Sequence, residues 1–309
     1  MFKRYSSIEN SYQNKYILNA LSRHPELKDE SFIVQEKLDG ANVQLFFQPN
    51  KELKVGKRSS FLGKDSSFFN IWETLDRYQE TINKLQSIVD ETGDTFRLYG
   101  EIVGPGVNGR IDYGPQNSIS FFDLEMNEFF VTPENFYNLM KHIGISEVVP
   151  IIGIYNNLTD ALKVNPEFIS PYLNKEGNYA EGVVIKPYQN NIMLGDSRFL
   201  VKKKSEKFKE KESTKKLKPK EDLSSEVVNL MLEFKSYIND NRMLSAFSKE
   251  GPIERPQEMG KYIKLIIEDA KEDFLKDNVV PDSLSEKEQK LIFNVGGLVA
   301  DKLKKYLRG

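Results

Sequence analysis

Glu36-Lys37-Leu38-Asp39-Gly40 sets one lysine among carboxylates where two apolar runs meet. Asp-Gly between such runs is an ordinary hairpin-turn signal, and a lysine in a turn is more often exposed than reactive. Other segments change that reading by their residue types and their order. They are Lys57-Arg58-Ser59, then Tyr99-Gly100-Glu101 with Gly104-Pro105-Gly106, then Phe121-Phe122-Asp123, Glu181-Gly182-Val183-Val184-Ile185-Lys186-Pro187, and Lys202-Lys203-Lys204. Taken singly they read as a solvated strand end, a turn, a core aromatic, a strand and a surface lysine run. Taken together they offer one amine, further lysines and several carboxylates in a fixed order, parts that could serve chemistry on a phosphate. A lysine amine becomes a nucleophile once neutral, and nearby cations and desolvation both favour the neutral form. Further lysines can hold phosphate oxygens, and carboxylates accept hydroxyl donors.

These segments need strands to hold them. Residues 32–38, 42–48, 53–57, 95–103, 119–125, 148–155, 182–186 and 199–203 are β-type runs broken by turn residues. Residues 7–23 and 66–92 carry helical spacing, the first through Ile8, Tyr12, Tyr16, Ala20 and Leu21. Thr132-Pro133 opens another helix, with Thr as N-cap and Gly144 past its end. Beyond residue 220 the pattern turns helical, with a cap at Ser224 or Ser225 and periodic stretches at 257–277 and 285–307. The expected organisation is an α+β domain over 1–210, a lysine-rich linker over 211–221 and a small all-helical domain over 222–309.

Composition bounds the rest. The chain has 309 residues, 39% hydrophobic and 29% charged, which is enough for a sizeable core. No apolar stretch approaches the ~18–20 residues of a membrane span, and the first ten residues lack the apolar run of a secretory signal. There is no cysteine, which excludes disulfides and zinc-thiolate sites. The net charge of −2 conceals a segment, 202–220, with ten Lys and three Glu. Such a run reads on composition first as a solvated linker, which is compatible with a phosphate footprint. The expected address is the cytoplasm.

In this order the segments resemble the motifs of the covalent nucleotidyltransferase superfamily: Lys-x-Asp-Gly, a later Arg, a Glu-bearing strand, an aromatic before an acidic residue, Glu-Gly-x-Val-x-Lys and Lys-x-Lys. The opening Met1-Phe-Lys-Arg-Tyr-Ser-Ser-Ile-Glu-Asn, the Gly104-Pro105-Gly106 turn, Phe122-Asp123 and Lys207-Phe208 narrow the resemblance to the phage-type RNA ligase 2 family. It covers the whole first domain and extends more weakly into the tail, through Asn241-Arg242, Gly260-Lys261 and Asp269.

The resemblance implies an adenylyltransferase domain of antiparallel sheets and helices, and an ATP-dependent ligase. Lys37 would accept AMP, pass it to an RNA 5′-phosphate, and a 3′-hydroxyl would then expel it. Phe122 would stack on adenine, Arg58 would meet the ribose or phosphate side, and Glu101 the ribose hydroxyls. Glu36 would help position adenine through its backbone. Lys186, Lys202 and Lys204 would serve as cations, the last two at the α-phosphate. Glu181 would be the metal-related carboxylate for Mg2+ or Mn2+. Asn42 would act after adenylylation, on nucleotide and RNA, and Arg242 would touch RNA. The expected substrate is nicked duplex RNA and the expected state a monomer. A DNA ligase, a capping guanylyltransferase and an inactive nucleic-acid-binding relative stay open as alternatives. The helical tail argues against the DNA ligase, which would carry an OB barrel of five strands there. The departures are Asp39, where some phage members carry His, and Ala41, in place of a hydroxyl residue. The roles of Asp39, Asp269 and Asp273 stay open.

Overall fold

The computed structural model describes residues 1–209 and 224–308. The expected linker at 211–221 lies outside them. Two compact units form, Met1–Lys207 with Ser248–Glu250, and Phe208–Phe247 with Gly251–Gly309.

The first unit is built on two five-stranded sheets. One runs β1 (Glu9–Asn10), β12 (Val201–Lys204), β9 (Gly182–Pro187), β2 (Phe32–Lys37), β8 (Ile151–Tyr155). It is antiparallel except for the β1–β12 pair. The other is wholly antiparallel and runs β4 (Lys54–Lys57), β3 (Ala41–Phe47), β5 (Phe96–Val103), β6 (Ser118–Met126), β7 (Phe129–Phe130). A short hairpin, β10 (Met193–Leu194) with β11 (Ser197–Arg198), stands apart.

Alternation assigns the faces, because successive strand side chains point opposite ways. Phe32 and Val34 of β2 enter a core with Val183, Ile185 and Val201, closed by Ile17 and Ala20 of α1 (Asn14–Arg23) and Leu158 and Ala161 of α5 (Leu158–Lys163). That sends Gln35 and Lys37 to the opposite face. Val43, Leu45 and Phe47 of β3 enter a second core, under α2 (Ile71–Asp76), α3 (Gln79–Thr92) and α4 (Pro133–His142), which sends Asn42 and Gln44 the other way.

Three expected elements change. The helix expected at 7–23 starts at Asn14, because Glu9 and Asn10 pair with Val201 and Lys202 as a parallel strand. The helix expected at 66–92 is broken by Phe69 and Asn70, both left-handed with φ of 46° and 53°, and again between Asp76 and Gln79. The helix expected at 285–307 divides into α9 (Glu286–Ile292) and α10 (Gly296–Arg308). The expected cap of α4 forms, with Thr132 Oγ1 accepting from the Asn135 N–H at 3.4 Å.

The regular elements of the second unit, among its described residues, are helices: α6 (Ser225–Ser236), α7 (Asp240–Glu250, whose last three residues fall in the first unit), α8 (Met259–Asp277), α9 and α10. Tyr262, Ile266, Ala270 and Phe274 recur every fourth residue along α8, and Val299 and Leu303 of α10 continue the same spacing from Val295 just before it. The two stripes share one core with Phe234, Tyr237 and Met243.

Candidate active site

Register brings the first three residues together. Lys37 ends β2 opposite Gly182, and Gly182 lies opposite Lys204 on β12. The residue before that glycine, Glu181, therefore sits between two lysines from flanking strands. Its Oε2 is 2.8 Å from Lys37 Nζ and its Oε1 is 2.8 Å from Lys204 Nζ. Gly182 is required at this crossing. Its φ is +152°, and a Cβ there would lie 2.1 Å from the Lys203 carbonyl oxygen. Burial alone would raise the Glu181 carboxyl, but Lys204 and then Lys37 outweigh it and hold the group at about 2. Glu181 is thus a fixed anion bridging two cations. Lys202 shares the face of Lys204, whereas Lys203 turns away and donates to the carbonyls of Leu162 and Val164.

The second sheet brings Asn42 opposite Glu101. Burial pushes the Glu101 carboxyl up to about 8; Lys37 works against the shift and Glu181 with it. Arg58 also acts on Glu101, which sets Lys37, Glu181, Arg58 and Glu101 in one electrostatic neighbourhood.

Phe122 owes its direction to a β-bulge. Tyr99 pairs with Asp123 and Gly100 with Phe121, so Phe122 is the extra residue. Phe121 and Leu124 stay in the core under the sheet, while Phe122 and Asp123 both leave it. Beneath Phe122 lies a buried ionic cluster. Asp123 Oδ2 receives Arg198 Nη1 at 3.0 Å, Lys186 Nζ at 3.1 Å and the Tyr5 hydroxyl. Burial would raise the Asp123 carboxyl, but Arg198 and Lys186 bring it below its ordinary value. Burial also pushes Lys186 down to about 8. Lys186 Nζ donates to the Phe122 carbonyl oxygen at 2.8 Å as well, and the residue is 1% exposed. Lys186, expected among the cations at the nucleotide, lies against Phe122 and Asp123 in this cluster.

The turn after Lys37 is held from outside. Asp39 is buried, and Arg110 Nε donates to its Oδ2 at 2.7 Å while Arg110 Nη2 donates to Oδ1. Asn108 Nδ2 donates to the same Oδ1 at 2.9 Å, and the Asp39 N–H donates to Tyr113 Oη at 2.8 Å. At Gly40 a Cβ would meet the Ile102 carbonyl oxygen at 2.3 Å, so the turn abuts the end of β5 that carries Glu101. Glu36 is 1% exposed; burial pushes its carboxyl up to about 7, with the Ser170 hydroxyl working against the shift.

Arg242, expected to touch RNA, is 3% exposed, and its Nη2 is 2.8 Å from Asp273 Oδ2. This is a buried ion pair of the helical unit. Among the described residues no cluster of three or more His, Asp or Glu side chains could hold a metal directly. Motif reading missed Arg110, Tyr113, Tyr5 and Arg198. None stands at a spacing that marks it, since each is defined by a partner distant in sequence.

The RNA ligase family model matches residues 30–204, and the model of the T4 RNA ligase 2 C-terminal domain matches residues 220–295. The Early 65 kDa protein of Autographa californica nuclear polyhedrosis virus is 26% identical over 146 residues, 44% of this chain and 26% of the viral protein. Two structures of Naegleria gruberi RNA ligase variants share the fold. The one with AMP and Mn has TM-score 0.52 at 20% identity, and the one with ATP and Mn has TM-score 0.52 at 22% identity. Each match covers 67% of this chain and 57% of the Naegleria chain. This chain therefore spans little more than half of those proteins and about a quarter of the viral one.

Proposed function

We propose that this chain, which belongs to the RNA ligase family, seals 3′-hydroxyl/5′-phosphate breaks in RNA with ATP, through AMP carried on Lys37. The observation that carries the reading is the row Lys37–Glu181–Lys204 across three adjacent strands. Lys37 Nζ, once it has lost a proton, attacks the α-phosphorus of ATP. A P–N bond forms, the α–β anhydride bond breaks and pyrophosphate leaves. Lys204 and Lys202 lie on the face where negative charge develops on the α-phosphate and act there as fixed cations. Phe122, turned out by its bulge, stacks on adenine, and Glu101 receives the ribose hydroxyls.

AMP then passes to an RNA 5′-phosphate, and the 3′-hydroxyl displaces it. Both Naegleria structures carry Mn. Glu181, a carboxylate held ionised beside Lys37, fits a divalent ion as a hard oxygen donor. When bound, Mg2+ or Mn2+ would neutralise charge on the phosphates.

The helical second unit favours RNA over DNA as substrate, since it holds no strand among its described residues from which an OB barrel could be built. Its match to an RNA ligase tail supports the same choice. We assign it the task of holding nicked duplex RNA. The test is sealing by one preparation of nicked duplex RNA, nicked duplex DNA and single-stranded RNA, each with a 5′-phosphate. Sealing confined to RNA, fastest at the nick, is expected. Preferential sealing of nicked DNA would overturn the assignment, and labelling by GTP rather than ATP would place the chain with capping enzymes.

A further inference from the structure

The turn that carries the nucleophile is not an ordinary hairpin. Its two strands, β2 and β3, belong to different sheets. No ladder of backbone hydrogen bonds therefore runs from β2 to β3 to fix residues 38–40. The loop after β5 fixes them instead, through Asn108, Arg110 and Tyr113. Arg110 provides the strongest of these contacts, a two-pronged guanidinium–carboxylate pair that sets both distance and plane.

We propose that Arg110 is a positioning residue for lysine adenylylation, and that by clamping the Asp39 carboxylate it aims Lys37 at the α-phosphate. This rests on Lys37 being the AMP acceptor. Asp39 is 4% exposed, so its charge needs a partner in place. With both oxygens held by Arg110, the carboxylate does not compete with Glu181 for the Lys37 ammonium. The clamp stands on a fixed base. The Asp112 N–H donates to Asn178 Oδ1 and Asn178 Nδ2 donates back to the Asp112 carbonyl oxygen, both at 2.8 Å. Lys175 pairs with the Asp112 side chain at 2.7 Å. The loop is thereby tied to the 175–178 segment, three to six residues before Glu181, so the clamp on Asp39 and the partner of Lys37 share one support.

The experiment is single-turnover formation of the enzyme–AMP adduct against ATP concentration, in the wild type, Arg110→Ala, Arg110→Lys, Asp39→Asn and the Arg110→Ala/Asp39→Asn double variant. Misplacing a reacting group by about 1 Å costs ~100-fold in rate. Arg110→Ala is expected to lose about that much in maximal rate, with half-saturating ATP unchanged. Arg110→Lys keeps the charge but not the fork and should fall between the two. The double variant should be no slower than Arg110→Ala alone, because both changes break one clamp. Thermal denaturation of each variant supplies the folded fraction. If Arg110→Ala does not fold, Arg110→Lys with its unchanged half-saturation carries the test. A folded Arg110 variant that labels at the wild-type maximal rate overturns the inference, as does a loss explained by folded fraction alone. Wild-type protein that takes no AMP on Lys37 overturns the underlying reading as well.

Discussion

Lys37 Nζ and Glu181 Oε2 are 2.8 Å apart, on residues separated by 144 positions and joined by strand register. Lys204 holds the other Glu181 oxygen at the same distance. The proposed nucleophile and a proposed phosphate-binding cation thus share one carboxylate. ATP entering the site would meet a charge arrangement built before it arrives, which is the kind of preorganisation that stabilises charge in phosphoryl transfer.

Replacing either cation on the open face of β12 should slow chemistry. Lys204→Ala and Lys202→Ala are each expected to reduce adenylylation by ~10²–10³ with smaller effects on ATP binding, the usual cost of one lost transition-state contact. Rapid-quench kinetics check this. Wild-type maximal rates in both variants would return the lysines to a surface role.

Phe122 and Lys186 should separate cleanly. Phe122→Ala is expected to weaken ATP binding by ~1–3 kcal/mol, the worth of a base–aromatic stack. Lys186→Ala breaks a buried ionic cluster and is expected to cost ~3–5 kcal/mol of stability in denaturant titration. If Lys186→Ala keeps full stability and loses only phosphate chemistry, its place under Phe122 has been misread.

Two carboxyls raised by desolvation give stability a definite pH dependence without nucleotide. Glu36 rises from 4.5 to about 7 and Glu101 from 4.5 to about 8. Both stay protonated in the folded chain at pH values where the unfolded chain has released the proton. Their contribution is therefore full below about 4.5 and is lost as pH rises through 7 and 8. Glu181, held at about 2, has the opposite sign, with stability present above 4.5 and lost as pH falls towards 2. Glu36→Gln should flatten the decline between pH 5 and 7 in thermal melts. Identical slopes in the two proteins would contradict the burial of Glu36.

The second unit should matter for RNA and not for the nucleotide. A fragment ending near residue 220 is expected to form enzyme–AMP and to fail at AMP transfer to an RNA 5′-phosphate. Arg242→Ala breaks the ion pair with Asp273 and should act mainly by destabilising the helical unit, by ~3–5 kcal/mol. A folded fragment that seals nicks normally would remove the second unit from catalysis.

Strands β2, β3, β5, β9 and β12 were legible as β-type runs broken by turn residues, with plain alternation in β3, where Asn42 and Gln44 separate Ala41, Val43 and Leu45, and the Gly182 crossing follows from a motif of fixed spacing. Other features depend on partners far away in the chain. Glu9 and Asn10 form a strand only because β12 arrives beside them. The bulge at Phe122 needs the register of β5. Lys186 has the type and spacing of a nucleotide-binding lysine, and only the positions of Asp123 and the Phe122 carbonyl show how it is used. Arg242 looks like an exposed helix arginine until Asp273 of α8 is placed against it. No local pattern marks Arg110, since a lone arginine in a glycine-rich loop has no characteristic period.

The central claim is a covalent bond between AMP and one particular lysine. Incubation of the full chain with ATP and Mg2+, followed by intact mass measurement and peptide mapping, tests it most directly. The account predicts one added AMP, mapped to the peptide that holds Lys37, stable to denaturation, and absent from Lys37→Ala and Lys37→Arg. An adduct on a different residue would contradict it, and so would RNA sealing by the Lys37→Ala protein.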